Sequence, residues 1–446
     1  MSGVIDVAVV GAGPAGIAAA LAAGSAGCEV TLIDAGSGPG GQLYPPGMLF
    51  PGAGQVRGAT PGQLPPSLAR IRQAGQGRHL AATWVRRAVR DDGGVVTLWV
   101  GGPEGGAETT VEVRAVVLAT GATELVLPFP GWDLPGVTTA GAAWTLLKSQ
   151  GVTVGQRVLV GGTGPQLLPV AAALAQAGVR VVAVLEATPA PAAVPQAAGL
   201  AAFPGQLPEA TGSAAILARH GVPVRTGYAV VACQGTSRVE RAVIAALDTD
   251  WRSRPGSCWE ETVDAVHLSF GAAPALDLPR SLGCAEVRPA SRPASAVTCD
   301  AGQATSVPGV FAAGEVTGGG GAVLAELEGS LAGISAARYL NRLDPATYAE
   351  RARGLRAQLD EPRRLAAGLA GAYPLRPGWL GWPDAGTVAC RCEETPWSAV
   401  AAAVAEGARD LPALTAATRC GTGYCHGRFC GPALQYLVSA ATGPPP

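Results

Sequence analysis

Five of the chain's ten cysteines lie close to its carboxyl end, at Cys390, Cys392, Cys420, Cys425 and Cys430. Four cysteine thiolates can bind either a 2Fe–2S cluster or a zinc ion. Structural zinc sites mostly use cysteine pairs separated by two to four residues, and a Cys-x-Cys pair is less usual there. Because Cys390 and Cys392 form such a pair, the sequence favours an iron–sulfur cluster over zinc.

The residues between these cysteines predict short helices that hold the ligands on loops. Thr395-Pro396 suits the N-cap and first position of one helix, Asp410 suits the N-cap of the next, and Pro432 opens a third. Backbone N–H groups at helix ends can bond sulfur and stabilise thiolate charge. Cys420 stays a fifth candidate ligand, whereas His426 is interpreted as a hydrogen-bond donor or an exposed side chain.

A glycine-rich turn near the amino end could bind the pyrophosphate of a dinucleotide. Its G-x-G-x-x-G pattern lies between an apolar run, typical of a buried parallel strand, and an alanine-rich helix. The glycines permit a close approach of backbone to phosphate, and the helix N-terminus favours negative charge. Asp34, which ends the next strand, can accept hydrogen bonds from a ribose. The predicted contacts are Gly11, Gly13, Pro14, Ala15, Gly16 and Asp34.

Three further segments favour FAD at this turn. Gly40-Gly41-Gln42 follows the second strand, Thr120-Gly121 ends another strand, and Gly314-Glu315 precedes a glycine-rich helix start. With these segments the chain resembles the glutathione-reductase- and thioredoxin-reductase-like flavoproteins, which have two dinucleotide-binding domains. In that superfamily the last segment usually reads Gly-Asp, with the acid on the flavin ribityl chain. Glu315 is one methylene longer but keeps the acceptor.

A second glycine-rich turn, Gly162-Thr163-Gly164, begins a similar strand–turn–helix–strand unit, and Glu186 ends its second strand. In the superfamily this domain binds NAD(P)H. Here Leu167 replaces the third glycine, and Leu167 and Pro169 crowd the first helical turn. The sequence therefore favours a copy that has lost its nucleotide, while binding of NAD(P) or ATP stays open. The Cys-x-x-Cys pair of a disulfide reductase is absent near residues 130–150.

The predicted fold is α/β, with two dinucleotide-binding Rossmann-like domains of the glutathione-reductase-like type and a small helical 2Fe–2S module. The FAD-binding domain is discontinuous and comprises residues 1–150 and 262–342, with a β-hairpin over residues 93–118. Residues 151–261 form the second nucleotide-binding domain, residues 343–386 a connector, and residues 387–446 the cysteine module.

Composition narrows the function classes. A formal net charge of −1 provides no basic surface that would attract nucleic acid. The amino end shows no cationic leader, and no apolar run is long enough to span a membrane. We therefore expect a cytoplasmic protein and leave a peripheral association with the inner membrane open. In a reducing compartment, clustered cysteines are metal ligands or redox groups rather than disulfides.

One loop and the cysteine spacing together resemble a specific family. Phe129-Pro130-Gly131-Trp132-Asp133-Leu134-Pro135-Gly136-Val137 reads by itself as a loop that leaves a sheet. With Gly40-Gly41-Gln42 and the cysteines, it resembles the α subunits of bacterial dye-linked amino-acid dehydrogenases. That family includes opine oxidase, proline and hydroxyproline dehydrogenase, hydrogen cyanide synthase and, more distantly, sarcosine oxidase. The last segment resembles the bacterioferritin-associated-ferredoxin-like 2Fe–2S domain, whose pattern implies the ligands Cys390, Cys392, Cys425 and Cys430.

The resemblance implies that this chain relays electrons and that another subunit oxidises the amine. In that family a D-amino-acid-oxidase-like β subunit carries FAD and oxidises the amino acid to an imine. The α subunit receives the electrons, often through FMN at the subunit interface, and passes them to a quinone or dye. A further small subunit fits the same pattern.

No residue of this chain is assigned a catalytic role, because its four histidines lie in no recognisable catalytic motif. Two alternatives stay open beside the relay. The first is a self-contained NAD(P)H-dependent FAD/2Fe–2S reductase, which needs an intact second glycine-rich turn. The second is a non-catalytic scaffold subunit that binds a nucleotide.

Overall fold

The computed structural model describes residues 3–44, 77–102, 108–189, 207–288 and 294–442. Its strands are β1 (Ile5–Val10), β2 (Val30–Ile33), β3 (Gly77–Leu80), β4 (Trp84–Arg90), β5 (Val96–Gly101), β6 (Thr109–Leu118), β7 (Ala122–Glu124), β8 (Val137–Thr139), β9 (Arg157–Gly162), β10 (Arg180–Glu186), β11 (Val224–Thr226), β12 (Tyr228–Gln234), β13 (Arg241–Ala246), β14 (Trp259–Thr262), β15 (Ala265–Ser269), β16 (Ala272–Pro274), β17 (Glu286–Val287), β18 (Ala296–Val297), β19 (Val310–Ala312), β20 (Val388–Cys390) and β21 (Thr395–Pro396). Its α-helices are α1 (Pro14–Ser25), α2 (Ala140–Gln150), α3 (Leu167–Gln176), α4 (Leu207–Arg219), α5 (Asp277–Ser281), α6 (Gly321–Tyr339), α7 (Pro345–Ala372), α8 (Trp397–Ala405), α9 (Leu411–Thr418) and α10 (Cys430–Thr442). Short 3₁₀ helices form at Gly314–Thr317 and Pro377–Gly381. Over the described residues, no helix is long and apolar enough to cross a membrane.

The first domain is built on a seven-stranded sheet with strand order β3-β2-β1-β6-β5-β4, and β19 pairs with β6. Strands β1, β2, β3, β6 and β19 are parallel. Val7 and Val9 of β1 face a core with α1 and α6, whereas Ala8 and Val10 face a second core on the other side. Burial on both faces explains the continuous apolar run. The antiparallel β5–β6 pair confirms the predicted hairpin.

Helices α1 and α6 cross at very short range on one face of this sheet. A Cβ built on Gly329 of α6 would lie 2.0 Å from the carbonyl oxygen of Ala15 in α1. Only glycine permits such an approach, because any side chain would push the two backbones apart. The crossing therefore fixes the first turn of α1 relative to the glycine-rich start of α6.

Residues 343–386, predicted as a connector, contain the 28-residue helix α7. Asp344 caps this helix by accepting hydrogen bonds from the N–H groups of Ala346 and Thr347, and Leu359 is fully buried in the core with α1 and α6. Trp379 follows and lies in the core shared with the cysteine module. The polar composition concealed this helix because a narrow buried stripe is enough to hold it on the surface.

The second domain is built on a five-stranded sheet with strand order β11-β10-β9-β15-β8. Strand β15 pairs in parallel with both β9 and β8. Residues 137–139 and 265–269 therefore lie in this sheet, although the predicted boundaries at residues 150 and 261 assigned them to the FAD domain. The apolar run of β15 fits a buried strand in either sheet, so its sequence does not indicate which one it joins. The antiparallel pair β7–β16 links the two domains.

The cysteine module comprises β20, β21 and helices α8 to α10. Asp410 caps α9 as predicted, because its Oδ1 accepts a hydrogen bond from Ala413 N–H at 2.7 Å. Thr395 does not cap α8; its hydroxyl donates to the carbonyl oxygen of Thr418, and Pro396 takes the N-cap position. Thr395 therefore ties the start of the module to the end of α9.

Tryptophans join this module and the segment before it to the second domain. The indole N–H of Trp132 donates to Val388 O of the module at 2.7 Å. That of Trp382, in the segment before the module, donates to Trp251 O at 3.1 Å. The guanidinium of Arg391, in the Cys-x-Cys pair, lies 5.9 Å from the centroid of the Trp132 ring. The loop that contains Trp132 is thus a docking surface for the cysteine module.

Candidate functional site

The first glycine-rich turn lies at the carboxyl edge of the first sheet. Strands β1, β2, β6 and β19 are parallel and end at this edge. The residues that follow them come together there, namely Gly11, Asp34, Thr120 and Gly314. In parallel α/β sheets, ligands bind in the crevice outside this edge. The geometry thus collects four segments that were predicted to contact FAD.

Two glycines of the turn are required by geometry. Gly11 has a φ of +103°, and a Cβ there would lie 2.1 Å from Ala119 O. A Cβ on Gly16 would lie 1.7 Å from Gly11 O. The first position needs a backbone conformation that glycine adopts freely, and the second needs close contact between helix and turn. Both requirements hold the start of α1 against the end of β1.

The N-terminus of α1 is open toward the crevice. Its N-cap is Gly13, which provides no side-chain cap, and Pro14 takes the first helical position. Within the described residues, a Cβ on Gly13 would meet no atom within 4 Å. The N–H groups of the first turn can therefore bind an anion, and the helix dipole favours one.

The Gly40-Gly41-Gln42 segment packs directly on this turn. A Cβ on Gly41 would lie 2.9 Å from the Cα of Gly13. Helix α2 supports the segment, because Thr145 donates to Gln42 Oε1 at 3.4 Å and Lys148 Nζ donates to Leu43 O at 3.3 Å. The sequence did not single out Lys148. Burial lowers the pKa of its ammonium group to about 8.

Asp34 binds the glycine-rich turn through one carboxylate oxygen and the residues after β2 through the other. Its Oδ2 accepts a hydrogen bond from Ala12 N–H at 2.5 Å, and its Oδ1 accepts one from Gly36 N–H at 2.7 Å. A carboxylate has four lone-pair positions, so Asp34 can also accept a hydrogen bond from a ribose hydroxyl.

Thr120 and Gly121 connect the end of β6 to the linker between the domains. Thr120 Oγ1 donates to Ala275 O at 3.0 Å, and Gly121 O accepts a hydrogen bond from Ala275 N–H at 3.0 Å. Gly121 has a φ of +73°, which suits glycine at this bend. The predicted FAD segment is thus fixed to the residue that follows β16.

Gly314 and Glu315 form the fourth side of the crevice. A Cβ on Gly314 would lie 2.8 Å from Ala15 Cβ, so this segment contacts the first turn of α1. Glu315 Oε1 accepts hydrogen bonds from Gly320 N–H at 3.2 Å and Gly321 N–H at 3.3 Å. Glu315, which is one methylene longer than the usual aspartate, therefore holds the start of α6. Its second oxygen can accept a hydrogen bond from a flavin hydroxyl.

Glu328 is a supporting residue that the sequence analysis did not identify. Its carboxylate is only 6% exposed, and its Oε2 accepts hydrogen bonds from Gly314 N–H at 3.1 Å and Thr317 Oγ1 at 2.9 Å. Arg363 of α7 lies 3.4 Å from Oε1. The signal in the sequence was a pair of acids, Glu326 and Glu328, within the otherwise apolar start of α6. Glu328 fixes the Gly314–Thr317 turn from behind.

Replacing Glu328 with glutamine should destabilise the protein by about 1.5–3 kcal/mol and weaken its retention of FAD, because two buried donors lose a charged acceptor. Thermal unfolding with and without added FAD measures both effects. Glu326→Gln is the matched control, since Glu326 lies on the same helix but lines a groove next to Tyr44. Equal losses in the two variants would contradict this role for Glu328.

These residues fit FAD. The uncapped start of α1 offers N–H groups to a pyrophosphate, and carboxylates lie on either side of it at Asp34 and Glu315. When bound there, the flavin supplies two-electron redox chemistry. The chain's own contribution is to bind and orient it.

The second glycine-rich turn differs from the first in its helix. Helix α3 begins at Leu167, five residues after Gly162, whereas α1 begins three residues after Gly11. Leu167 is 2% exposed and fills the space that a third glycine would leave. Glu186 closes this turn, because its Oε2 accepts a hydrogen bond from Gly164 N–H at 3.0 Å. The displaced helix start favours the loss of dinucleotide binding at this turn.

Four of the five terminal cysteines are buried, namely Cys390, Cys420, Cys425 and Cys430, while Cys392 is partly exposed. The Sγ atoms of Cys390 and Cys430 lie 3.7 Å apart. Two sulfurs on one tetrahedral metal with bonds of about 2.3 Å are separated by about 3.8 Å. Cys392 is a neighbour of Cys425: burial and the Cys425 side chain raise the pKa of its thiol, while the N–H of Cys425 lowers it. Each spatial pair thus combines one cysteine from the Cys-x-Cys segment with one from the later segment.

Backbone N–H groups donate to the sulfur of Cys390, which pairs with Cys430. Burial alone would raise the pKa of the Cys390 thiol, but hydrogen bonds from Gly421 and Glu393 N–H hold this pKa below its usual value. Burial and the neighbouring Cys390 raise the pKa of the Cys430 thiol. Donors aimed at sulfur stabilise thiolate charge, which is what an iron–sulfur cluster requires.

Cys420 lies beside Cys390 in the interior of the module. It is fully buried, and burial raises the pKa of its thiol while bonds to Thr418 and Thr395 oppose this rise. His426 is exposed and has a φ of +51°. Cys420 is therefore close enough to Cys390 to stay a candidate ligand, whereas the His426 side chain is exposed to solvent.

The donor set fits a binuclear cluster. A 2Fe–2S cluster takes two cysteines at each iron. The two spatial pairs match that requirement. When bound there, the cluster supplies one-electron chemistry.

Comparison with known proteins decides the family. The description "pyridine nucleotide-disulphide oxidoreductase" matches residues 5–339, and "BFD-like 2Fe-2S binding domain" matches residues 388–440. The chain belongs to the pyridine nucleotide-disulphide oxidoreductase family. This family member has an FAD-binding oxidoreductase fold and a carboxyl-terminal 2Fe–2S domain, which confirms the predicted fold class and both predicted cofactors.

Similar proteins are subunits of larger enzymes. The A subunit of opine oxidase from Agrobacterium tumefaciens (strain Ach5) is 32% identical over 460 residues, with 99% of this chain and 86% of that protein covered. Hydrogen cyanide synthase subunit HcnB of Pseudomonas aeruginosa is 30% identical, with 98% and 93% covered. The crystal structure of L-proline dehydrogenase from P. horikoshii has a TM-score of 0.66 at 21% identity, over 99% of this chain and 75% of that chain, and shows the shared fold.

These relatives confirm the resemblance on which the sequence analysis relied. The oxidoreductase described here is of the same subunit type as HcnB and its opine oxidase counterpart, and an electron-transferring role agrees with its two redox domains.

Proposed function

We propose that this chain is the electron-relay subunit of a heteromeric dehydrogenase or oxidase that acts on an amino acid or an opine-like amine. The proposal rests on one combination of features. The chain has an intact FAD-type turn and a group of buried thiols, but the helix after its second glycine-rich turn begins two residues later than the helix after the first. Electrons that enter from NAD(P)H would require that second turn. Their entry from a partner subunit does not.

The proposed contacts follow from the geometry at the carboxyl edge of the first sheet and in the cysteine module. The FAD contacts are Gly11, Gly13, Pro14, Ala15, Gly16, Asp34, Gly41, Gln42, Thr120, Gly121, Gly314 and Glu315. The proposed cluster ligands are Cys390, Cys392, Cys425 and Cys430. Glu328 and Lys148 support the FAD segments from outside the site.

We assign amine oxidation to a D-amino-acid-oxidase-like partner. The partner's flavin takes a hydride from the carbon next to nitrogen, a proton leaves, and the imine product is hydrolysed. His267 cannot serve as the base that takes a proton from the amine, because it is fully buried between Thr138 and the carbonyl of Val154. Burial lowers the pKa of its imidazole to about 4, so it is a neutral structural residue.

The clustering of five cysteines near the carboxyl end favours a reducing compartment, where thiols stay available as metal ligands. Proteins of oxidising compartments convert such neighbouring thiols into disulfides. We therefore place the complex in the cytoplasm, with FMN at the subunit interface and a quinone or dye-like acceptor as its further components.

Turnover with and without the partner tests the proposal. The chain is purified alone and together with its amine-oxidising partner, and each preparation is assayed for dye reduction with proline, hydroxyproline, opines and glycine. We expect no turnover by the chain alone and turnover of at least one substrate by the complex. Robust oxidation of any of these amino acids by the chain alone would contradict the assignment of the amine site to a partner.

A further inference from the structure

The cysteine module contacts the FAD domain as well as the second domain. Arg428 Nε lies 2.7 Å from Asp277 Oδ2, and Gln435 Nε2 donates to Ser295 Oγ at 3.4 Å. The Trp132 hydrogen bond to Val388 O holds the other side of the module, and the Trp382 hydrogen bond holds the segment just before it. The module is therefore fastened on both sides of the linker between the two domains.

Asp277 is held rigidly on the FAD domain. It begins α5 between Leu276 and Leu278, each of which is 7% exposed and lies in the core beneath the first sheet. Ala275, two residues earlier, exchanges hydrogen bonds with Thr120 and Gly121. The carboxylate of Asp277 is thus tied to one of the segments that contact FAD.

Arg428 is held equally firmly on the cluster loop. It lies between Cys425 and Cys430, and its N–H donates to Cys425 O at 3.1 Å. A short line of contacts therefore leads from the FAD segment at Thr120 through Asp277 to the loop that carries two proposed iron ligands. Both charged side chains are partly exposed, at 48% for Arg428 and 40% for Asp277.

We propose that the Asp277–Arg428 ion pair is a positioning contact that fixes the iron–sulfur cluster relative to the flavin and thereby sets the rate of electron transfer between them. The proposal rests on the relay function proposed above. The step concerned moves one electron from reduced flavin to oxidised cluster, and no bond forms or breaks. Asp277 and Arg428 touch neither cofactor; they act by holding the cluster loop in place.

Loss of this ion pair should leave the protein folded. Partly exposed ion pairs contribute little to stability, and the contacts of Trp132 with Val388 and Arg391 keep the module attached to the second domain. The cluster loop would then move relative to Thr120 and Gly121. Since rates that depend on geometry fall steeply with small displacements, we expect a slower transfer in an otherwise intact protein.

Pulsed photoreduction of the bound flavin in the anaerobic holoprotein tests the proposal without amine or partner. Cluster reduction is followed by its absorbance after the flash. We expect Arg428→Gln and Asp277→Asn each to slow this step by roughly tenfold, while the cluster's reduction potential and electron paramagnetic resonance signal stay unchanged. Arg428→Lys, and the exchanged pair Asp277→Arg with Arg428→Asp, should restore most of the rate. High salt should slow the wild type and the two variants that keep an ion pair at this position, because it screens that pair. It should leave the rates of Arg428→Gln and Asp277→Asn unchanged.

Arg419→Gln is the matched control, because Arg419 pairs with Glu393 at 2.9 Å entirely within the module. We expect its transfer rate to equal that of the wild type. Wild-type rates in both Arg428→Gln and Asp277→Asn would overturn the positioning role while leaving the relay intact. Failure of the wild-type flavin to reduce the cluster at all would instead refute the relay itself, and with it this inference.

Discussion

Replacing Cys425 with alanine will remove the iron centre from this protein. Cys425 forms a spatial pair with Cys392, and a binuclear cluster needs two cysteines at each iron. Iron and acid-labile sulfide should fall from about two of each per chain to near zero. The brown colour of the purified protein should disappear with them. Iron and sulfide analysis of the purified variant measures the effect.

Cys420→Ala is the control within the same cluster of thiols. Cys420 is fully buried beside Cys390 but does not belong to the pattern of the 2Fe–2S domain, so this variant should keep its iron and sulfide. The opposite pair of results, with iron kept in Cys425→Ala and lost in Cys420→Ala, would reassign the fourth ligand. Zinc without iron in the wild type would exclude the cluster altogether.

Replacing Gly16 with alanine will weaken FAD binding by roughly 100-fold, which corresponds to about 2.8 kcal/mol. The new methyl group would lie 1.7 Å from the carbonyl oxygen of Gly11, so α1 must move away from the turn. The N–H groups at the start of α1 would move with it and lose their alignment with the pyrophosphate. Flavin content after purification, followed by titration of the apoprotein with FAD, measures the loss.

Gly24→Ala provides the matched control on the same helix. A Cβ on Gly24 would meet no described atom within 4 Å, and alanine is a better helix former than glycine. FAD binding should be unchanged and the helix slightly more stable. Full flavin content in Gly16→Ala would show that α1 can shift without loss, and that the close contact of helix and turn does not matter for binding.

The sheet and its turn were predictable because local patterns specify them. Apolar runs followed by glycine-rich turns indicate buried parallel strands, and parallel strands place their carboxyl ends at one edge. Knowledge of that edge is enough to bring Gly11, Asp34, Thr120 and Gly314 together. The change at Leu167 was also visible, although its consequence, a helix that starts late, appears only in the structure.

The contacts that support the site were not predictable because they join distant parts of the chain. Glu328 binds the N–H of Gly314, and Asp277 pairs with Arg428 across the domain boundary. Nothing in the sequence around either acid indicates its partner. The spatial pairing of Cys390 with Cys430 is likewise set by how the loops fold. Spacing alone grouped the cysteines as neighbours along the chain.

Trp132 shows how a local interpretation can be incomplete. The loop from Phe129 to Val137 was interpreted as a passage out of the sheet. In the structure its indole binds Val388, and Arg391 stacks above it, so it carries the cysteine module. The same loop that marks the family resemblance therefore joins the second domain to the cysteine module.

Anaerobic titration of the holoprotein with NADPH and NADH, monitored by flavin and cluster absorbance, tests the central claim most directly. The displaced start of α3 and the buried Leu167 predict that neither nucleotide bleaches the flavin on a catalytic timescale. Amino-acid substrate added to the complex with the amine-oxidising partner should reduce both the flavin and the cluster. Rapid bleaching of the isolated chain by NADPH or NADH would contradict the relay and identify a self-contained reductase.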